Sequence, residues 1–172
     1  MIPLYAPYQT LGSQPHWEPL RVLFVCGTNA AWSIMAEALL RRDGGRRFLP
    51  MSAGIDPAPA VDPMTLDQLA SAGLRSDWCF TKSILTVRED SMLRLDFICS
   101  AMDLEEIGLA GDWPGHPAIV HWNVPDPMEY LGRTSGRRSH FRAAFTALAK
   151  RIDLLTSLPQ GKVLELRRSL AV

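Results

Sequence analysis

The segment Arg21 to Arg42, RVLFVCGTNAAWSIMAEALLRR, constrains the fold more than any other part of the chain. Its apolar run Val22 to Val25 has no polar interruption, which marks a strand buried on both faces of a parallel sheet. A loop of small residues follows at once. Then Ile34, Met35, Ala38 and Leu39 recur at helical spacing, and Gly44-Gly45 stops the helix. A strand, a tight loop and a helix in that order begin a parallel βαβ arrangement.

The pattern repeats downstream. Phe48 to Ala53 reads as a second strand, and Pro50 places it near a sheet edge. Asp62-Pro63 opens a helix through Ala72, with Asp62 as N-cap, Pro63 at the first helical position and Gly73 as the stop. Leu95 to Ser100 and Ala118 to His121 read as third and fourth strands, separated by a short acidic helix and the turn-rich GDWPGHP. A helix from about Ser139 to Leu158 carries the buried stripe Phe141, Phe145, Leu148, Ile152 and Leu155. This alternation predicts an α/β, doubly wound, three-layer domain with a four-stranded parallel sheet flanked by helices.

The 172 residues suffice for one domain with a core. We divide them into an N-terminal extension at 1–20, an α/β domain at 21–158 and a C-terminal tail at 159–172. The extension holds three prolines before residue 16 and lacks the cationic and apolar regions of a signal peptide. No apolar run approaches the roughly 20 residues of a membrane span. Lys plus Arg and Asp plus Glu number 18 each, so no global field draws the protein to nucleic acid or membrane. Arg137-Arg138 reads as solvated surface, and the scattered tryptophans form no base-stacking platform. Three cysteines, at 26, 79 and 99, show no zinc-ligand pairing and fit a reducing cytoplasm. No metal or cofactor is expected.

In sheets of this kind ligands bind beyond the carboxyl ends of the strands, which places Cys26 and Asp126 at one mouth. A cysteine between a strand end and a helix start faces backbone N–H groups and the positive helix terminus. The same loop thus favours a thiolate and an anion. On that ground Cys26 is expected to be the most acidic of the three thiols; Cys79 and Cys99 read as packing residues. The competing reading of Cys26 is a small buried hydrophobe.

VLFVCGTNAAWSIMAEALLRR resembles the phosphate-binding loop, C-x5-R-S after a strand, of the low-molecular-weight protein tyrosine phosphatases and the related thioredoxin-coupled arsenate reductases. The likeness continues through SAG at 52–54, VDPMTLDQLASAGL at 61–74, LDFICSAMD at 95–103 and WPGHPAIVHWNVPDP at 113–127. It implies that fold, with its flavodoxin-like layering. It also implies Cys26 as nucleophile, Asp126 as general acid, and an oxyanion loop of Gly27, Thr28, Asn29, Ala30, Ala31, Trp32 and Ser33. In that loop Asn29 shapes the backbone and Ser33 hydrogen-bonds the thiolate. The ligand implied is phosphate, arsenate or a phosphoester.

The departures are as informative. Where the family has an arginine whose fork binds two oxygens, this chain has Trp32. The family's glycine just before the asparagine is Thr28 here, and a hydroxyl found in many relatives is lost at Ala30. At the position of a resolving cysteine the chain aligns Met102. Arg133, Arg137 and Arg138 are the candidates to supply a cation from elsewhere, whereas Arg41 and Arg42 lie too far along the helix. His121 and Trp122 flank the mouth, as wall residues or ligand contacts. Two function classes stay open: a phosphatase or arsenate reductase that retains Cys26 and Asp126 but is impaired or compensated at position 32, and a non-catalytic relative that binds an anion, an aromatic ligand or a protein partner.

Overall fold

A computed structural model of the chain describes residues 18–90 and 92–171; most of the expected N-terminal extension lies outside them. The elements are β1 (Leu20–Cys26), α1 (Trp32–Asp43), β2 (Phe48–Gly54), α2 (Pro63–Ser71), α3 (Ile84–Glu89), β3 (Phe97–Ser100), β4 (Ala118–His121), α4 (Thr134–Ser157) and α5 (Gln160–Leu170). The sheet is parallel throughout in the order β2-β1-β3-β4. The apolar run in β1 is therefore an inner strand, and Pro50 sits on an edge strand where its missing N–H costs no ladder bond.

Alternation along β1 divides the core. Val22, Phe24 and Cys26 face one side, with Met35, Leu39, Phe141, Leu148 and Ile152. Leu23 and Val25 face the other, with Ile84, Ile98, Leu104 and Trp113. All five β1 residues from Val22 to Cys26 have no exposed surface, as the unbroken run requires. Asp62 caps α2, accepting from the Met64 N–H at 2.8 Å, and Gly73 turns the chain away at φ +68°.

Four segments differ from the sequence reading. The acidic stretch before β4 is a single turn: Asp103 accepts from the Glu105 N–H, and the Leu109 N–H reaches back to Leu104 with Gly108 at φ +70°. That Schellman-type closure stops a helix before it can propagate. Helix α3, capped by Ser83, has only six residues and carried no recognisable period. Helix α4 starts at Thr134 rather than near Ser139. Gly136 lies in its first turn because the Tyr130 hydroxyl occupies the space of a Cβ there. Finally, the segment read as a tail contains α5, whose Val163 is fully buried and whose Arg167 meets Asp96 at 3.1 Å. Arg47 fixes the α4–α5 corner, donating to the carbonyls of Thr156 and Leu158.

Candidate active site

The loop between β1 and α1 turns its peptide groups in one sense. The carbonyls of Cys26, Gly27, Thr28 and Ala30 point outward and accept from the N–H groups of Ile55, Asp56, Ala58 and Asp62 at 2.9 to 3.1 Å. Thr65 adds its hydroxyl to the Ala30 carbonyl at 2.8 Å. With the carbonyls held outside, the amides turn in, and those of Asn29 and Ser33 reach the Cys26 sulfur. Ala31, the residue before α1, offers no side-chain cap, so the first-turn amides of the helix are left for the site. This is a nest of donors around one sulfur.

Asn29 supplies the bend. It alone in the loop has positive φ, at +51°, a conformation Asn tolerates better than most residues. Its carbonyl oxygen accepts from the Lys82 N–H at 2.7 Å and its Nδ2 donates to Ser33 Oγ at 2.8 Å. The Ser33 proton is then free to point at Cys26 Sγ, 3.0 Å away. Thr28 keeps a negative φ, so the glycine missing before Asn29 is not required here. Gly54 is: a Cβ on it would lie 2.7 Å from the Asn29 nitrogen.

Asp126 approaches from the loop after β4, 6% exposed, and starts a short 3-10 turn by accepting from the Met128 N–H at 3.0 Å. It lies near enough to the Cys26 thiol for each group to act on the other. Cys26 and Asp126, expected at one mouth, are thus brought together in the fold. Burial pushes the Asp126 carboxyl above the ordinary carboxylate range, against the bonds from Met128 and Cys26. Burial, with the Asp126 charge added, pushes the Cys26 thiol up to about 12 despite the Ser33 hydroxyl and the two amides.

Burial thus opposes the acidity that the sequence reading expects of Cys26. Half-buried Cys79, beside Lys82 and Arg41 as well as Glu37, is pushed up only to about 11. Cys26 has no cation among the groups acting on it, and desolvation outweighs its amides. Cys99 is buried in β3 opposite Phe24, and burial alone raises it.

Trp32 has no exposed surface. Its Nε1–H donates to the Val124 carbonyl at 2.9 Å, two residues before Asp126. Its ring packs edge-on against Phe24 and Trp122, with centroids at 6.4 and 6.1 Å. The side chain thus lies in the core and ties the acid-bearing loop to α1. Trp122 belongs to the same aromatic cluster, while His121 lies at the surface with Nε2 3.2 Å from the Ala101 carbonyl. Met102 Cε comes within 3.9 Å of where a Cβ on Gly27 would sit.

The candidate cations lie elsewhere. Arg137 pairs with Asp62 at 2.8 Å and passes Met128 Sδ at 3.9 Å. Arg138 lines a surface hollow with Asp67 and Gln68, and Arg133 precedes α4. Arg41 pairs with buried Glu37 at 2.7 Å, pointing away as its position on the helix predicts. Sequence reasoning missed Lys82, Thr65 and Gly54, all of which act on the loop. SAG at 52–54 was a visible signal; Lys82 contributes only its backbone, which no pattern of side chains reveals.

The family profile of the low molecular weight phosphotyrosine protein phosphatases matches residues 21–165. A comparison with curated proteins gave no match. Among solved structures, the chain is similar to the YwlE arginine phosphatase from Geobacillus stearothermophilus, with 22% identity, 86% of this chain and 97% of that chain covered, and a TM-score of 0.65. It is also similar to Vibrio vulnificus Wzb in complex with benzylphosphonate, at 15% identity, 80% and 97% coverage and TM-score 0.63. An arsenate reductase in the phosphate binding state gives 19% identity, 80% and 97% coverage and TM-score 0.61. At these identities the likeness establishes the fold.

Proposed function

Because the chain belongs to the low molecular weight phosphotyrosine protein phosphatase family, we propose that its β1–α1 loop binds a tetrahedral oxyanion with little or no phosphatase activity. The reading rests on one pairing of observations. Four loop carbonyls are taken from outside and the amides of Asn29 and Ser33 reach Cys26, yet Trp32, which the family resemblance puts at the clamp position, is held in the core. Amides and a helix N-terminus suffice to hold phosphate or arsenate. They leave the charge that develops on the transferred group without a guanidinium, a loss on the order of 10³ to 10⁵ in rate where such arginines have been removed.

In this reading Cys26 would attack phosphorus or arsenic and Asp126 would protonate the departing oxygen. Burial raises both groups, and with its thiol pushed up to about 12 the nucleophile is rarely a thiolate. Calorimetric titration with phosphate and hydrolysis of p-nitrophenyl phosphate test the reading: millimolar binding with near-background turnover is expected. Trp32→Arg should then raise turnover, and a 10²-fold gain corresponds to about 2.7 kcal/mol of transition-state stabilisation. Adding Cys26→Ser must abolish the gain. Absence of phosphate binding overturns oxyanion recognition.

A second reading, an active phosphatase or arsenate reductase with its cation supplied from another segment, is favoured by one contact: Arg137 passes beside Met128, next to the acid-bearing turn. Robust turnover in the unmodified protein that falls with Arg137→Gln would establish it. A cytoplasmic location remains part of this proposal, as does a protein partner; among the described residues no helix is long and apolar enough to cross a membrane.

A further inference from the structure

At the β4 edge of the sheet, on the face that α4 covers, α4, α5 and β4 enclose a cavity of about 600 Å³. Its size lies in the range of small-molecule sites. Leu154, Leu158, Leu166 and Leu170 line it and are 67%, 36%, 38% and 39% exposed. Four large apolar side chains around one hollow are a concentration that scattered surface leucines do not produce. Trp122 closes the inner wall, so the lining is continuous with the aromatic cluster of the core.

One cation interrupts this surface. Arg151, from α4, lies on the lining and makes no hydrogen bond or ion pair among the described residues. Two other arginines here have acceptors: Arg47, at the α4–α5 corner, holds two carbonyls, and Arg167, in α5, holds Asp96. A half-buried guanidinium beside an apolar hollow is complementary to a ligand with an anionic head and a hydrocarbon body. Its planar fork suits a carboxylate in particular.

We propose that the α4–α5 cavity is a binding site for a medium- or long-chain carboxylic acid, with the chain among the four leucines and the carboxylate on Arg151. The site is separate from the oxyanion loop and does not depend on the function assigned to it. Trp122, which touches both the cavity and Trp32, is the wall the two sites share.

Calorimetric titration of the full chain with sodium decanoate below its micellar range tests the assignment. A Kd on the order of 10 to 100 μM is expected for a ligand of that size. Arg151→Gln should weaken decanoate about tenfold, the worth of a hydrogen bond to a charged group. Leu166→Gln, at an exposed position that leaves folding intact, should weaken it as well. Decyltrimethylammonium, with the same chain and the opposite charge, should bind at least about tenfold less tightly. Saturating phosphate should leave decanoate binding unchanged. The assignment is overturned by any of four results: no heat up to millimolar decanoate, equal binding of the cationic surfactant, an Arg151→Gln affinity equal to that of the unmodified protein, or displacement by phosphate. Sedimentation that reveals a dimer dissolved by Leu154→Gln would overturn it too, in favour of a second copy filling the cavity.

Discussion

The two ends of Trp122 face opposite kinds of surface. Toward Trp32 lies a loop whose outward carbonyls are paired and in which the side chains of Asn29, Ala31, Trp32 and Ser33 are wholly enclosed. Toward α5 lies a hollow ringed by exposed leucines with an arginine lacking a partner. The loop is polar and closed, the hollow apolar and open. Enclosure is possible in the loop because backbone from other segments pairs its outward carbonyls, although the Thr28 hydroxyl is buried there without a partner. The hollow needs no such pairing, since apolar surface left in water costs only its unburied area.

The sharpest way to break this contrast is to truncate one side chain on each side. Trp32→Ala removes a fully buried ring and leaves the Val124 carbonyl without its donor. A loss of about 3 to 5 kcal/mol in urea unfolding is expected. Leu154→Ala, at 67% exposure, should change stability by no more than about 0.5 kcal/mol. If both cost the same, the loop is no more tightly built than the hollow.

Two glycines give the next largest difference. Gly54→Ala forces a methyl against the Asn29 nitrogen, at a cost of about 1 to 3 kcal/mol and with weakened phosphate binding. Gly161, in α5, has no atom within 4 Å of an added Cβ. There Gly161→Ala should raise stability by up to about 1 kcal/mol through helix propensity. Thermal melts of the two variants must move in opposite directions.

A smaller effect concerns Asp126. Its folded-state pKa is raised by burial, so the native state binds its proton more tightly than the unfolded chain does. The stability from that proton is complete below the unfolded carboxyl pKa and is lost as pH rises through the folded one. Asp126→Asn, which can still accept from the Met128 N–H, should therefore raise the melting temperature at pH 7. The gain should vanish as the pH falls below the ordinary carboxylate range. A gain that persists at pH 3 would mean that charge burial is not its cause. The subtlest contrast is among thiols: alkylation followed by mass spectrometry should label Cys79 before Cys26 as pH rises, given values pushed to about 11 and about 12.

The legible parts of this protein were those governed by periodicity or by short-range stereochemistry. The β1 run, the Asp62-Pro63 cap, the edge position of Pro50 and the pairing of Cys26 with Asp126 all follow from local pattern plus the rule that sites open at strand ends. The side of Trp32 was not legible. A residue at the first position of a helix can turn toward the loop or toward the core, and that choice depends on Phe24, Trp122 and the Val124 carbonyl, up to 92 residues away. The upward shift of the Cys26 thiol was not legible for a related reason: sequence shows which donors surround a cysteine but not how completely water is removed from it. Helix α5 was missed because a single buried position, Val163, gives no stripe to read.

The outward carbonyls of the loop also order events in time. Residues 26–30 are neighbours in sequence, yet their shape is held by residues 55, 56, 58, 62 and 65, with Thr65 and Ala30 separated by 35 positions. No contact within the loop can fix its amides inward before β2 and the start of α2 have docked, and closing that long connection carries its entropy first. The nest is accordingly a late product of folding. An intermediate that has β1 and α1 alone possesses Cys26, Asn29 and Ser33 in sequence but no anion site, so recovery of phosphate binding during refolding should lag behind the recovery of helical signal.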